Sequence, residues 1–285
     1  MSGPGRPFAE GERVMIVDRK KRHYLVTLAP GNQFHTHKGV VRHDDLIGLP
    51  EGSWVTSTRA ERYVTLRPTL EDTILLMPRG AQVIYPKDLG AIVLLADIGP
   101  GVRVLESGVG SGALSIALLR AGADVTGYEI REDFANRARH NVEEFLGPAA
   151  LDRYHVELRD CYEGIDGTVD RVILDLPEPW QVVPHAERAM VTGGTLLAYT
   201  PSIVQAARTR ERLAVGPWAE CKTIEILHRS WHVEGDAVRP DHRMVAHTGF
   251  LTYARLIAGE SVAGDAVAGD VSDGSAQPGS SPSAR

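Results

Sequence analysis

Cysteine is nearly absent from this chain of 285 residues: Cys161 and Cys221 are the whole complement. Two cysteines cannot build a disulfide framework, so a reducing cytoplasm is the expected compartment. Long apolar runs are missing too. No window of about 18 unbroken apolar residues occurs, and the N-terminal Met1-Ser2-Gly3-Pro4-Gly5-Arg6 has no apolar core after its charge, which argues against membrane spanning and secretion. An excess of positive charge is also lacking. With 31 Lys and Arg against 37 Asp and Glu the net charge is -6, too acidic for a nucleic-acid binder that works by bulk charge.

What is present is a globular composition, 43% hydrophobic, at a length that suits two domains of roughly 150 residues. The charge is uneven. Residues 1–88 carry 13 basic and 10 acidic side chains, residues 89–258 carry 17 and 23, and residues 259–285 carry 1 and 4. The last block is rich in Gly, Ala, Ser, Asp and Pro with no aromatic residue, and buries too little apolar surface to offset its backbone entropy. The expected organisation is a small all-β domain over 1–72, a catalytic domain over 73–258 and a disordered acidic tail over 259–285.

Short alternating runs, Val14 to Val17, His23 to Leu28, Trp54 to Thr56 and Tyr63 to Leu66, predict an antiparallel barrel or sandwich in the first block. After Pro86 the rhythm changes. Helices are expected at 87–96, 113–121, 131–146 and 202–213, and strands at 103–106, 125–130, 154–160, 171–176, 195–200, 224–228 and 249–256. Strand and helix in alternation predict an α/β fold, a parallel sheet covered on both faces.

The most informative stretch is Val104-Leu105-Glu106-Ser107-Gly108-Val109-Gly110-Ser111-Gly112. Glycines at every second position after a buried strand let the backbone pass close to a ligand beside a helix N-terminus. Gly108 to Ala113 also fits the G-x-G-x-x-A dinucleotide pattern, so glycines alone do not decide the ligand. Three acids do. Glu106 would repel a pyrophosphate but suit a cationic sulfonium, Glu129 can accept from ribose hydroxyls, and Asp160 can accept from an adenine amino group. That set suits S-adenosylmethionine, which carries ribose and adenine but no phosphate. Ile173-Leu174-Asp175-Leu176-Pro177-Glu178-Pro179-Trp180 then holds Asp175 at the mouth of the site, where a carboxylate can accept from the exocyclic amine of a target adenine and support attack by N1.

Together, Glu106-x-Gly108-x-Gly110-x-Gly112, Gln82-Val83-Ile84-Tyr85-Pro86-Lys87-Asp88 and Asp175-Leu176-Pro177-Glu178-Pro179-Trp180 resemble the tRNA (adenine-58-N1)-methyltransferases of bacteria and archaea. The resemblance runs from about Phe8 to Ala258 and includes Phe34-His35-Thr36-His37-Lys38-Gly39. It implies a Rossmann-like class I methyltransferase domain, a small N-terminal all-β domain, a homotetramer, a tRNA substrate and S-adenosylmethionine as methyl donor. By position it implies that Leu105, Glu106, Ser107, Gly108, Gly110, Gly112, Glu129, Phe134, Asp160 and Asp175 line the cofactor pocket. Asp175 would also bind the target adenine, with Tyr85 and Tyr199 near the reacting base. Ala121 to Asp124 makes a shorter connection than the relatives have.

Trp180 joins the two tyrosines as a candidate base-stacking residue. His35, His37 and His43 have no accompanying cysteine, and no metal is expected. Candidate phosphate contacts are Arg19-Lys20-Lys21-Arg22, the helical Arg208, Arg210 and Arg212, and Arg239, His242, Arg243 and His247. The leading function is methylation of N1 of an adenine in the tRNA T-loop. The alternative is a methyltransferase for a small molecule or protein carboxylate, and a relic RNA-binding subunit or a nicotinamide oxidoreductase fits the retained acids less well.

Overall fold

The computed structural model describes residues 5–77, 80 and 82–259; the expected acidic tail, apart from Gly259, lies outside them. The N-terminal region consists of strands β1 (Arg13–Val17), β2 (His23–Thr27), β3 (Gln33–Thr36), β4 (Gly39–Arg42), β5 (Trp54–Thr56) and β6 (Arg62–Leu66). Four of them form an antiparallel sheet in the order β2-β1-β6-β5, while β3 and β4 make a separate hairpin. Val41 from that hairpin is buried with Val14, Ile16, Val55 and Tyr63 from the sheet, so the hairpin closes the open face. The β1–β2 turn is fixed by Asp18, whose Oδ1 accepts from the N–H groups of Lys20 and Arg22.

Beyond two helices, α1 (Leu70–Leu76) and α2 (Pro86–Leu95), the chain alternates: β7 (Arg103–Ser107), α3 (Ala113–Ala121), β8 (Asp124–Glu129), α4 (Glu132–Leu146), β9 (Tyr154–Leu158) and β10 (Val169–Leu174). It continues through α5 (Val183–Ala189), β11 (Met190–Thr200), α6 (Ile203–Ala214), β12 (Trp218–Glu225), β13 (Trp231–Glu234), β14 (Ala237–Pro240) and β15 (Phe250–Leu256). A seven-stranded sheet runs β12-β15-β11-β10-β7-β8-β9. Its faces are covered separately: α2, α3 and α4 supply residues such as Ile92, Ile116 and Val142 to one core, and α5 and α6 supply Val183, Ala186 and Leu213 to the other.

The expected parallel sheet needs one correction. β15 pairs antiparallel with both β11 and β12, because the segment joining β12 to β15 holds the β13–β14 hairpin and no crossover helix, and a parallel return needs a crossover. Three elements have weak sequence signals. Helix α1 has seven residues and starts at a capping box between Thr69 and Asp72; α5 is equally short and polar, and β13–β14 lies mostly exposed, without a buried face to print a pattern.

Arg67, just past β6, binds the N-terminal sheet together. Its guanidinium donates to Glu12 at 2.7 Å and to Glu51 at 3.1 Å, and also to the carbonyls of Arg6 and Pro7. Burial pushes both carboxyls up, but hydrogen bonds and charge from Arg67 reverse that and hold each below its ordinary 4.5. A depressed carboxyl stabilises the fold above its unfolded pKa and loses that contribution as pH falls through its folded value. Arg67→Ala should therefore lower urea-unfolding stability at pH 7 by about 3 kcal/mol. The deficit should shrink as the pH is taken well below 4.5 and the two glutamates become protonated.

Candidate active site

Gly108, Gly110 and Gly112 have φ of 87°, 55° and 80°, backbone that L side chains rarely adopt. A Cβ on Gly108 would overlap the backbone carbonyl of Asp175, and one on Gly112 would lie 3.1 Å from Cα of Ala138 in α4. The loop between β7 and α3 thus runs hard against the end of β10 on one side and α4 on the other. The N–H of Asp175 donates to the carbonyl of Ser107 at 2.9 Å, and the N–H of Gly108 to that of Tyr128 at 3.1 Å. Both bonds continue the ladders of β7 beyond the strand ends and bring the acid and the glycines together.

Glu106 is completely buried in β7 beside Leu105. Ser115 donates to its Oε2 at 2.6 Å, while Oε1 has no partner among the described residues. Burial drives its pKa up to about 8; the hydrogen bond from Ser115 opposes that rise, and the charges of Asp175 and Glu129 add to it. Glu129, the last residue of β8, is buried and accepts backbone N–H groups from Gly110 and Arg131, each at 3.0 Å. Asp160 lies two residues beyond β9, where the sequence pattern would end the strand on it. The chain turns earlier because Asp160 caps a short turn, accepting the N–H of Tyr162 at 2.9 Å. Phe134 is buried in the first turn of α4 with the Arg131 guanidinium 4.0 Å over its ring.

A narrow cleft is lined by Gln82, Val83, Ile84, the glycine loop and Asp175, and no Lys or Arg appears among its described lining residues. Among the described residues the Oε1 of Glu106, in β7, and the buried hydroxyl of Ser111, in the loop itself, have no hydrogen-bond partner. A pyrophosphate would meet the carboxylate of Asp175 and, among the described lining residues, no cation, whereas a sulfonium with an amino acid tail meets compatible groups. The residues fit S-adenosylmethionine and disfavour a dinucleotide.

Asp175 follows β10 directly and is half-buried. Among the described residues no hydrogen bond or counter-ion reaches its carboxylate, and desolvation alone raises its pKa from 3.8 to about 7. Tyr199, near the end of β11, is buried and donates its hydroxyl to the Thr248 carbonyl at 2.7 Å. Burial moves that hydroxyl up to about 12, the neighbouring Asp88, Asp175 and Tyr85 contributing. Tyr85 sits immediately before α2, half-buried. The structure therefore brings Tyr85, Tyr199 and Asp175 into one neighbourhood.

Other candidates have other partners. Trp180 is half-buried with the exposed Arg208 guanidinium 5.3 Å from its ring centroid, and Arg212 is paired with Glu187. His43 is buried and its Nδ1 accepts the Ala29 N–H, a structural role; His35 and His37 are exposed. Both nitrogens of His247 face acceptors, Glu225 and the Pro201 carbonyl, at 2.7 Å. Asp88, Thr248 and Gly249 are neighbours of Tyr199 that are not among the candidates read from the sequence. Only Asp88 had a signal, as the last residue of Tyr85-Pro86-Lys87-Asp88.

A Rossmann-like sheet with a reversed strand near one edge, a glycine loop after its first strand and acids at successive strand ends define a class I methyltransferase. The family model for the tRNA methyltransferase complex GCD14 subunit matches residues 62–239, and the TrmI-like N-terminal model matches 7–55. A tRNA (adenine(58)-N(1))-methyltransferase TrmI of Thermus thermophilus is 37% identical over 245 residues, 85% of this chain and 96% of that one. The Methanocaldococcus jannaschii enzyme named for adenines 57 and 58 is 33% identical, covering 85% and 94%. Two solved structures superpose closely. The tRNA (m1A58) methyltransferase TrmI of Aquifex aeolicus has a TM-score of 0.77 at 30% identity, over 87% of this chain and 98% of that one. A Thermotoga maritima protein described as an O-methyltransferase reaches 0.85 at 30% identity, over 90% and 96%. The chain belongs to the tRNA (adenine-58-N1)-methyltransferase family.

Two substitutions separate the loop from the acid. Gly108→Ala should abolish S-adenosylhomocysteine binding in calorimetry, because its Cβ has nowhere to go. Asp175→Asn should retain that binding yet lower the methylation rate by roughly 10² to 10⁴. Because the folded pKa of Asp175 lies above its unfolded one, the native state binds the extra proton and stability falls as pH rises from 3.8 to about 7. The melting temperature of Asp175→Asn should therefore gain on the wild type across that window and keep a constant lead above it.

Proposed function

We propose that this protein uses S-adenosylmethionine to methylate N1 of adenine 58 in the T-loop of tRNA. The observation that carries the reading is the carboxylate of Asp175, uncompensated at a strand end beside Tyr85 and Tyr199. Adenine N1 is a weak nucleophile with an in-plane lone pair, and methylation leaves positive charge on the ring. An ionised Asp175 that accepts from the exocyclic amine raises electron density at N1 and stabilises that charge. Tyr85 and Tyr199 supply aromatic walls that offset the cost of extracting the base, a few kcal/mol. S-adenosylmethionine, when bound, supplies an electrophilic methyl group on a sulfonium. Glu129 would hold its ribose, Asp160 and Phe134 its adenine, and Leu105 to Gly108 with Gly110 and Gly112 would give the backbone surface it lies on.

Substrate affinity is assigned to local charge. Arg19, Lys20 and Lys21 are exposed at the β1–β2 turn, whereas Arg22 is neutralised by Asp18. Arg239, His242 and Arg243 are exposed near the β13–β14 hairpin. A homotetramer would bring such patches around one tRNA, and Trp231, Val233, Val238 and Met244, all exposed on or near that hairpin, support an assembly that covers them. The division into a β domain over 1–72 and a catalytic domain over 73–258 belongs to the same proposal, as does a cytoplasmic location. No helix among the described residues is long and apolar enough to cross a membrane.

The test is incubation with labelled methyl donor and an unmodified tRNA transcript, followed by digestion to nucleosides. Label in 1-methyladenosine is expected, and label confined to a small molecule or a protein ester would favour the alternative, which the named relatives do not. Replacing Arg19, Lys20 and Lys21 by Ser should raise KM for tRNA about tenfold and flatten the salt dependence of kcat/KM by up to about three in logarithmic slope. The affinity for S-adenosylhomocysteine should stay unchanged.

A further inference from the structure

A buried polar clasp stands behind the tyrosine slot. Asp88 is fully buried in the first turn of α2, and the side chain of Lys87 is only 6% exposed. Lys87 Nζ donates to Asp88 Oδ1 at 2.8 Å and to Thr248 Oγ1 at 2.6 Å, and Thr248 Oγ1 donates to Asp88 Oδ2 at 2.6 Å. An ammonium only donates and a carboxylate only accepts, so the hydroxyl between them has one allowed arrangement. That fixes Thr248, whose carbonyl takes the Tyr199 hydroxyl at 2.7 Å. The next residue, Gly249, touches the same ring closely enough that a Cβ there would overlap it. Tyr199 is thus held at its hydroxyl by residue 248 and along its edge by residue 249.

Stability alone does not account for this arrangement. Removing an ammonium and a carboxylate from water costs about as much as their attraction returns, and well-packed apolar side chains would join α2 to the start of β15 at least as firmly. What the ionic clasp adds is a defined position, because it links the end of Tyr85-Pro86-Lys87-Asp88 to the loop that orients Tyr199. We propose that Lys87, Asp88 and Thr248 are positioning residues that set the Tyr199 ring, and through it the target base, relative to Asp175. The proposal rests on the reading of Tyr85, Tyr199 and Asp175 as the base slot.

Thr248→Val keeps the side-chain shape and removes the hydroxyl, Thr248→Ser keeps the hydroxyl, and Tyr199→Phe removes the group that the loop holds. Each variant is assayed for kcat and KM with an unmodified tRNA transcript, normalised to sites that bind S-adenosylhomocysteine so that misfolded protein does not count. Thr248→Val should lower kcat roughly tenfold or more while donor affinity holds, since small misplacements are costly in rate, and Thr248→Ser should restore most of the loss. The Thr248→Val/Tyr199→Phe double variant should be no slower than its slower parent, as expected for residues that act through one contact. Multiplying losses, or a Thr248→Val effect confined to melting temperature with kcat per site intact, would overturn the clasp. A wild-type enzyme that turns over no tRNA would instead overturn the slot reading beneath it.

Discussion

The backbone of Asp175 occupies the space that a side chain on Gly108 would need. That contact is the constraint on which the rest of the site depends, because it joins the loop that would carry the methyl donor to the acid that would face the acceptor. Two neighbouring parallel strands, β7 and β10, end at the same level, and the hydrogen bond from Asp175 to Ser107 extends their ladder by one residue. Any bulkier residue at 108 would drive the two ends apart. The positive φ that glycine tolerates and the space that it leaves are therefore a single requirement, set by the need to place donor and acceptor groups within reach of each other.

The same closeness has an electrostatic consequence. Glu106, Glu129 and Asp175 gather around a loop whose cleft offers no cation among its described lining residues, and burial makes Glu106, with one donor, and Asp175, with none among the described residues, resist ionisation. Such a site costs stability to maintain. The cost makes sense if the missing positive charge arrives with the ligand or develops in the reaction, as it does for a sulfonium donor and for an adenine methylated at N1. Elsewhere the protein compensates half-buried acids in the ordinary way, as Arg67 does for Glu12 and Glu51.

Much of this was legible in the sequence, for local reasons. Gly112 and Gly122 bracket α3, and the expected helix from Ala113 to Ala121 is the observed one. Glu106 and Asp175 were identifiable because apolar strand residues precede each and glycines or prolines follow. The reversal of β15 was not, since a strand buried on both faces reads alike in either direction. Nor was the capping role of Asp160, which depends on where β9 stops. The clasp at Thr248 stayed hidden because it joins residues some 160 positions apart, and a threonine before a glycine carries no local sign of such a partner. Arg208, Arg210 and Arg212 read as candidate phosphate contacts on one helix, and nothing local showed that Trp180 and Glu187, distant in sequence, lie against Arg208 and Arg212.

The negative total charge that first argued against a nucleic-acid substrate is a property of the sum. Its acids include Glu106, Glu129 and Asp175 around the glycine loop, while exposed basic groups cluster at the β1–β2 turn and near the β13–β14 hairpin. The central claim, that the carboxylate and tyrosines at the strand ends serve N1 of a tRNA adenine, is tested most directly by mapping methylated nucleotides. Total tRNA from cells with and without the gene would be compared position by position. The account predicts 1-methyladenosine in the T-loop at position 58 in the first sample and unmodified adenine there in the second. An identical modification pattern in the two samples would contradict it.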